Sequence, residues 1–213
     1  TTPCSVCPLA KQKRLPFISH NNMSDSAFDL IHCDIWGPFH VPTVSKHRYF
    51  LSIVDDCTRA TWAYLMKHKS EVYALISAFY NMIHTQFNAY IKILRSDNGL
   101  EFNLVDFYRS KGIIHQNSCV DTPQQNSVVE RKHQHLLNVA RTLRFQSNVP
   151  LSLWGECVLA ATYLINRTPT PLLHNKCPFE FLFKRKPHYE HLKVFGCLCY
   201  ASTLATHRHK FAP

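Results

Sequence analysis

The sequence predicts an α/β domain built on a mixed five-stranded sheet flanked by helices, and three observations carry that prediction. Apolar runs of strand length come first as a group of three, then recur after helical segments. The longest intervening stretches repeat apolar residues at steps of three and four, the helical period. Apolar residues fill 46% of the 213 positions and aromatics 12%, enough to bury a substantial core. A chain of 24.7 kDa holds one such domain and an appendage rather than two full domains.

The elements follow in order. Residues 1–27 are not core-like: Cys4-Ser5-Val6-Cys7 leads into the basic run Lys11-Gln12-Lys13-Arg14 and a polar stretch through Ser26. Residues 28–35 read as a buried strand stopped by Gly37-Pro38. Residues 48–54 and 60–66 form a hairpin around Asp55-Asp56-Cys57-Thr58-Arg59, where both acids fit ordinary turn chemistry. Val72, Leu75, Ile76, Phe79, Met82, Ile83 and Phe87 mark an amphipathic helix with Ser70 as its expected cap. Residues 91–96 are a fourth strand ended by Asp97-Asn98-Gly99. A short helix over 105–111 stops at Gly112, and 113–118 is a fifth strand. A long helix over 127–146 presents Val129, Leu136, Leu137, Ala140 and Leu143. Another over 153–166 presents Trp154, Val158, Ala161 and Ile165. Prolines 169, 171, 178 and 187 break up the tail, which ends in a strand-like run over 193–200. An antiparallel meander leading into parallel strands is the ribonuclease-H-like layout. The expected division is 1–27, 28–167 and 168–213.

Lysine and arginine total 24 against 14 acids, a formal net charge of +10 before any of the 14 histidines protonates. That balance favours a polyanionic partner. The longest clean apolar stretch, near Val158 to Ile165, is too short to span a bilayer, so no membrane partner is expected. Nothing at the start reads as a signal peptide, and the chain opens on Thr1, as a piece of a longer protein would. Nine cysteines without a framework spacing point to a reducing compartment. Cys33, Cys57, Cys119, Cys157 and Cys177 are isolated and read as core filling; Cys197 and Cys199 alternate on the last predicted strand and read the same way. Cys4 and Cys7 have the spacing of half a tetrahedral zinc site, which needs two further ligands.

Three acids occupy suggestive places: Asp34 near the end of the first strand, Asp97 just after the fourth, and Glu130 in the first turns of the long helix. If those two strands are neighbours, the acids meet at one end of the sheet. Gathered carboxylates raise one another's pKa unless a cation neutralises them, and hard divalent ions with oxygen ligands do so. On spacing alone, each is equally a turn residue or a helix-start acid facing the dipole.

The flanking residues are more specific. Phe28-Asp29-Leu30-Ile31-His32-Cys33-Asp34-Ile35-Trp36-Gly37-Pro38, Arg95-Ser96-Asp97-Asn98-Gly99-Leu100-Glu101-Phe102, Gly112-Ile113-Ile114-His115-Gln116 and Thr122-Pro123-Gln124-Gln125-Asn126-Ser127-Val128-Val129-Glu130-Arg131-Lys132-His133 closely resemble the integrase core of copia-type LTR retrotransposons. Cys4 to Lys11 resembles the end of that family's zinc-binding N-terminal domain, and His191 to Tyr200 the segment after the core. The resemblance implies that Asp34, Asp97 and Glu130 are an acidic triad holding two Mg²⁺ (or Mn²⁺) ions, with Asp34 bridging both. The implied reaction joins a cDNA 3′-hydroxyl to a target phosphodiester by in-line attack, without a covalent enzyme intermediate. It also implies that Asn126, Arg131, Lys132 and His133 lie near DNA, although Arg131 and Lys132 read equally as a solvated basic face. Helical spacing puts His133 and Gln134 on one face with Glu130. Zn²⁺ on Cys4 and Cys7, a homo-oligomer acting on two cDNA ends, and entry into the nucleus after cytoplasmic particle assembly complete the expectation.

Three positions depart from the family's pattern. Asp97 and Glu130 stand closer than is usual, with a loop trimmed after Phe102; Val120-Asp121 replaces Pro-Tyr; and Ser127 replaces a glycine. Serine there costs roughly 1 kcal/mol or more if the backbone needs positive φ, and caps the helix if it does not. A catalytically inactive remnant that still binds nucleic acid is the alternative reading. Ribonuclease H proper would share fold and metals, but the residues around Glu130 match integrases.

Overall fold

The computed structural model describes residues 23–118 and 126–200. Cys4, Cys7, Cys119, Val120 and Asp121 therefore lie outside the described residues. The chain runs β1 (Leu30–Trp36), β2 (Tyr49–Asp55), β3 (Thr61–Met66), α1 (Val72–Phe87), β4 (Ile93–Ser96), α2 (Val105–Lys111), β5 (Ile114–Asn117), α3 (Ser127–Ser147), α4 (Trp154–Ile165) and α5 (Pro178–Phe183). The five strands form one sheet in the order β3-β2-β1-β4-β5. β1, β2 and β3 are an antiparallel meander; β4 lies parallel to β1, and β5 parallel to β4. This is the predicted ribonuclease-H-like mixed sheet.

Alternation along the strands decides what each face carries. Ile31, Cys33, Leu51 and Ile53 join one core with Val72, Ile76, Phe79 and Ile83 of α1 and Phe107 of α2. On the other face Phe50 meets Leu136 and Ala140 of α3 and Trp154, Val158 and Ala161 of α4. The alternate residues of β1 serve that second face. Trp36 stacks on Phe50 with ring centroids 5.4 Å apart, and His133 of α3 reaches Asp34.

The turn after β2 ties the sheet together. The Asp55 carboxylate accepts the backbone N–H groups of Phe28 and Thr58 at 2.7 and 2.8 Å, and the Thr58 hydroxyl at 2.6 Å. Asp56 holds His32 Nε2 at 2.9 Å and Arg59 at 3.4 Å. Both acids are buried and pin the start of β1 to the hairpin, a structural role beyond local turn chemistry. Gly112 ends α2 at φ +68°.

Several expectations change. Ser70 does not cap α1. The chain enters that helix through a 3₁₀ turn over Lys69–Glu71, which places Ser70 inside the turn. The Glu71 carboxylate instead accepts the N–H groups of Lys67 and His68 at 2.8 and 2.7 Å. Residues 193–200 form no strand. Alternation marks a strand only where a ladder partner exists, and here Gly196 turns the chain at φ +82°. Cys197 and Cys199 are exposed thiols, not core residues, whereas Cys33, Cys57, Cys157 and Cys177 are buried as expected. The tail prolines also start elements: Pro171 opens a 3₁₀ turn and Pro178 opens α5. Leu173 and Cys177 are buried beside them. Asn166, just past α4, clamps β3 by accepting the Thr61 N–H at 2.9 Å and donating to the Thr61 carbonyl at 2.7 Å.

Candidate active site

The ladder between β1 and β4 sets the first pair of acids. Leu30 faces Ile93, Ile31 faces Leu94 and His32 faces Arg95. The same register, continued, brings Asp34 level with Asp97 at the carboxyl ends of two adjacent parallel strands. In open α/β sheets that edge is where ligands bind.

Asp34 points to the α3 side and is half-buried. One oxygen accepts its neighbour's N–H, from Ile35, at 2.8 Å; the other lies 3.3 Å from His133 Nδ1. Burial, then the negative charges of Asp97 and Glu130, push its carboxyl up to about 7; the Ile35 N–H and the Lys69 charge oppose this only in part. His133 is itself buried, and burial pulls it down to about 4, so the imidazole is neutral at pH 7. Its Nε2 is 2.6 Å from the Ser52 hydroxyl, completing a Ser52–His133–Asp34 chain across β2, α3 and β1.

Asp97 follows β4 directly and accepts the Gly99 N–H at 3.1 Å. A Cβ at Gly99 would stand 3.0 Å from Asp97 Oδ1 and 2.8 Å from the Glu101 carboxyl carbon, so any side chain there would displace the ends of both acids. Glu101 pairs with Lys69 Nζ at 2.7 Å, and Glu101 and then Asp97 hold the lysine above its ordinary value. Behind Phe102 the chain passes through Asn103 and Leu104 straight into α2.

Glu130 sits on the first turn of α3, exposed, with Gln134 exposed one turn on. His133, expected on their face, turns inward. Asn126 precedes the helix and is 2% exposed, with Nδ2 3.5 Å from the Cys33 carbonyl and Oδ1 buried without a partner among the described residues. Ser127 is not among the residues with positive φ, so serine bears no left-handed strain there, and Asn126 rather than Ser127 stands at the cap position. Arg131 is exposed. Lys132 is partly buried, and burial followed by the Arg59 charge lowers it to about 8.

The structure thus brings Asp34 and Asp97 together and sets Glu130 within electrostatic reach. Among the described residues, no three His, Cys, Asp or Glu side chains stand close enough to hold a metal ion as they lie. Sequence reasoning missed Ser52, Lys69 and Glu101. Ser52 did carry a signal, a lone hydroxyl within an apolar strand; the Lys69–Glu101 pair spans two elements and carried none.

Comparison with known proteins agrees with the geometry. The integrase core domain family model matches residues 25–123. The chain is 38% identical over 208 residues to the retrovirus-related Pol polyprotein from transposon RE2 of Arabidopsis thaliana, covering 97% of this chain and 14% of that protein. It is 37% identical over 210 residues to the corresponding polyprotein from transposon RE1 of the same plant, again covering 97% and 14%. With the polyprotein from transposon TNT 1-94 of Nicotiana tabacum, identity is 34% over 202 residues, covering 93% and 15%. The chain therefore spans 14% to 15% of the length of these curated relatives. A chain from the cryoEM structure of the simian T-cell lymphotropic virus intasome in complex with PP2A regulatory subunit B56 gamma shares the fold. Its TM-score is 0.63 at 17% identity, over 96% of this chain and 69% of that one.

Proposed function

The chain belongs to the integrase core domain family of retrotransposon Pol polyproteins, and on that premise we propose that it is a polynucleotidyl transferase joining cDNA 3′ ends to target DNA. The observation that carries this reading is the β1–β4 register, which continued brings Asp34 level with Asp97 just past β4, with Asp34 raised to about 7 by burial and by the charges of Asp97 and Glu130. Such a cluster is poorly compensated by the protein alone. Its donors are all carboxylate oxygens, which suits Mg²⁺ or Mn²⁺.

Asp34, Asp97 and Glu130 are the residues that would hold two such ions, Glu130 by reorienting its exposed side chain toward the other two. When bound, divalent ions supply charge neutralisation and Lewis acidity at the attacking and leaving oxygens of a phosphodiester. The protein's own part is positioning. His133, backed by Ser52, holds the Asp34 carboxylate from α3, a role distinct from direct DNA contact, because the imidazole is buried. Asn126 braces the backbone of β1 beside Asp34. The Gly99 N–H bonded to Asp97 and the Lys69–Glu101 pair hold the loop that carries Asp97. Arg131 and Lys132 contribute to DNA attraction along the phosphate backbone, and the +10 balance makes binding fall steeply with salt.

In the full-length polyprotein Cys4 and Cys7 would bind Zn²⁺ with ligands beyond this chain, and a homo-oligomer would bring two cDNA ends to one target, in the nucleus. Disintegration of a branched DNA in Mn²⁺ tests the catalytic reading. Product from the unmutated chain and none from Asp97→Asn is expected. A folded chain that makes no product sinks the reading and leaves the inactive, nucleic-acid-binding remnant.

A further inference from the structure

A cleft of about 670 Å³ lies between α3, the end of α4 and the segment before α5. Arg59, Arg131, Lys132 and His135 line it, with the rim threonines Thr168 and Thr170, and none of its described lining residues is Asp or Glu. Its size falls within the range of small-molecule sites. At 3.6 residues per turn, Arg131, Lys132 and His135 share one flank of α3, while Glu130 and Gln134 turn to another. The cleft is therefore separate from the acidic cluster.

Its electrostatics are unbalanced. The charges of Arg59 and Lys132 bear on each other, and the charge of Lys132 bears on His135. Arg59 has one nitrogen 3.4 Å from Asp56, yet its Nε is buried with no partner among the described residues. Beyond its Asp56 partner the guanidinium keeps an unused buried donor, and the second arginine and the lysine beside it leave the cleft with surplus positive charge. Phosphate oxygens match it best, because the planar fork binds them bidentately and lysine adds a point charge.

From this we infer that the cleft binds a ligand carrying two or more closely spaced phosphate groups. The inference does not rest on the catalytic reading of the acids, although Arg131 and Lys132 serve both the cleft and DNA attraction. The phosphates come either from a free polyphosphate or from a nucleic-acid strand, and the chemistry recognised is the same.

Calorimetric titration of the 213-residue chain with inorganic tripolyphosphate at about 0.15 M salt tests it. Tripolyphosphate should bind at least about tenfold more tightly than sulfate, and Arg59→Gln should weaken it about tenfold. Because Arg59 also pairs with Asp56, Leu172→Glu is the second variant: Leu172 lines the cleft at 41% exposure, so an acid there repels the ligand without disturbing the core. Asp97→Asn should leave the affinity unchanged, which separates failure of the cleft from failure of the catalytic reading. Binding no tighter than sulfate, or unaltered by both Arg59→Gln and Leu172→Glu, overturns the inference. A single-stranded oligonucleotide that displaces tripolyphosphate assigns the phosphates to a nucleic-acid strand; one that does not assigns them to a free polyphosphate.

Discussion

Asp34 and His133 pull stability in opposite directions as pH changes. The folded carboxyl of Asp34 titrates near 7, against 3.8 as its ordinary value. Through that window the unfolded chain releases the proton and the folded chain keeps it, so stability falls as pH rises. His133 is depressed from 6.5 to about 4, so its contribution is complete above 6.5 and is lost as pH falls toward 4. In metal-free buffer at pH 8, Asp34→Asn should therefore be more stable than the unmutated chain by about 2 kcal/mol, an advantage that vanishes below pH 4. Urea denaturation across pH checks this; equal stability at pH 8 would show that the acid cluster is not strained. The same pair shows where reading the sequence stopped. Asp34, Asp97 and Glu130 were visible because flanking motifs marked them. Helical spacing put His133 on the exposed face of Glu130, whereas burial turns it inward to hold Asp34.

Turns carry the next scale. The order of elements through α4 and the antiparallel-then-parallel character of the sheet were legible, because alternation and three-to-four spacing survive in a well-patterned chain. The β1–β4 adjacency entered only as a condition. The run over 193–200 was misread as a strand, since alternation lacks information about a ladder partner. The 3₁₀ entry to α1 was missed because its cap position is His68, outside the usual set, with Glu71 reaching back to the His68 N–H. Two glycines at positive φ show how differently such turns respond to substitution. At Gly37, φ is +123° and a Cβ would lie 2.6 Å from the Arg48 carbonyl oxygen, a backbone atom with no room to move. At Gly112, φ is +68° and nothing lies within 4 Å of the added atom. Gly37→Ala should destabilise by about 3 kcal/mol, combining strain with overpacking. Gly112→Ala should lose only about 1 kcal/mol. Chemical denaturation midpoints for the two variants compare them directly, and equal losses would contradict the backbone clash.

Across the whole molecule, the segment after α4 is part of the packed body. Leu173 and Cys177 are 0% and 2% exposed, Leu182 packs on the α1-side core, and the Phe179 N–H bonds the Asn166 carbonyl. A chain ending at residue 167 should thus be less stable than one ending at 187 by about 3–5 kcal/mol, from the apolar side chains left uncovered. Thermal unfolding of the two truncations measures it; matching midpoints would mean that the segment rests on the core without supporting it. The β1–β4 ladder has a longer reach, into descent. Because a backbone register, not a side-chain contact, keeps Asp34 level with Asp97, one inserted or deleted residue in either strand would turn an acid to the opposite face of the sheet. Side chains around the pair can drift over generations, yet length can change only in the connections. Copies of this chain compared across a genome would then show gaps gathered between the strands and an unbroken count within β1 and β4.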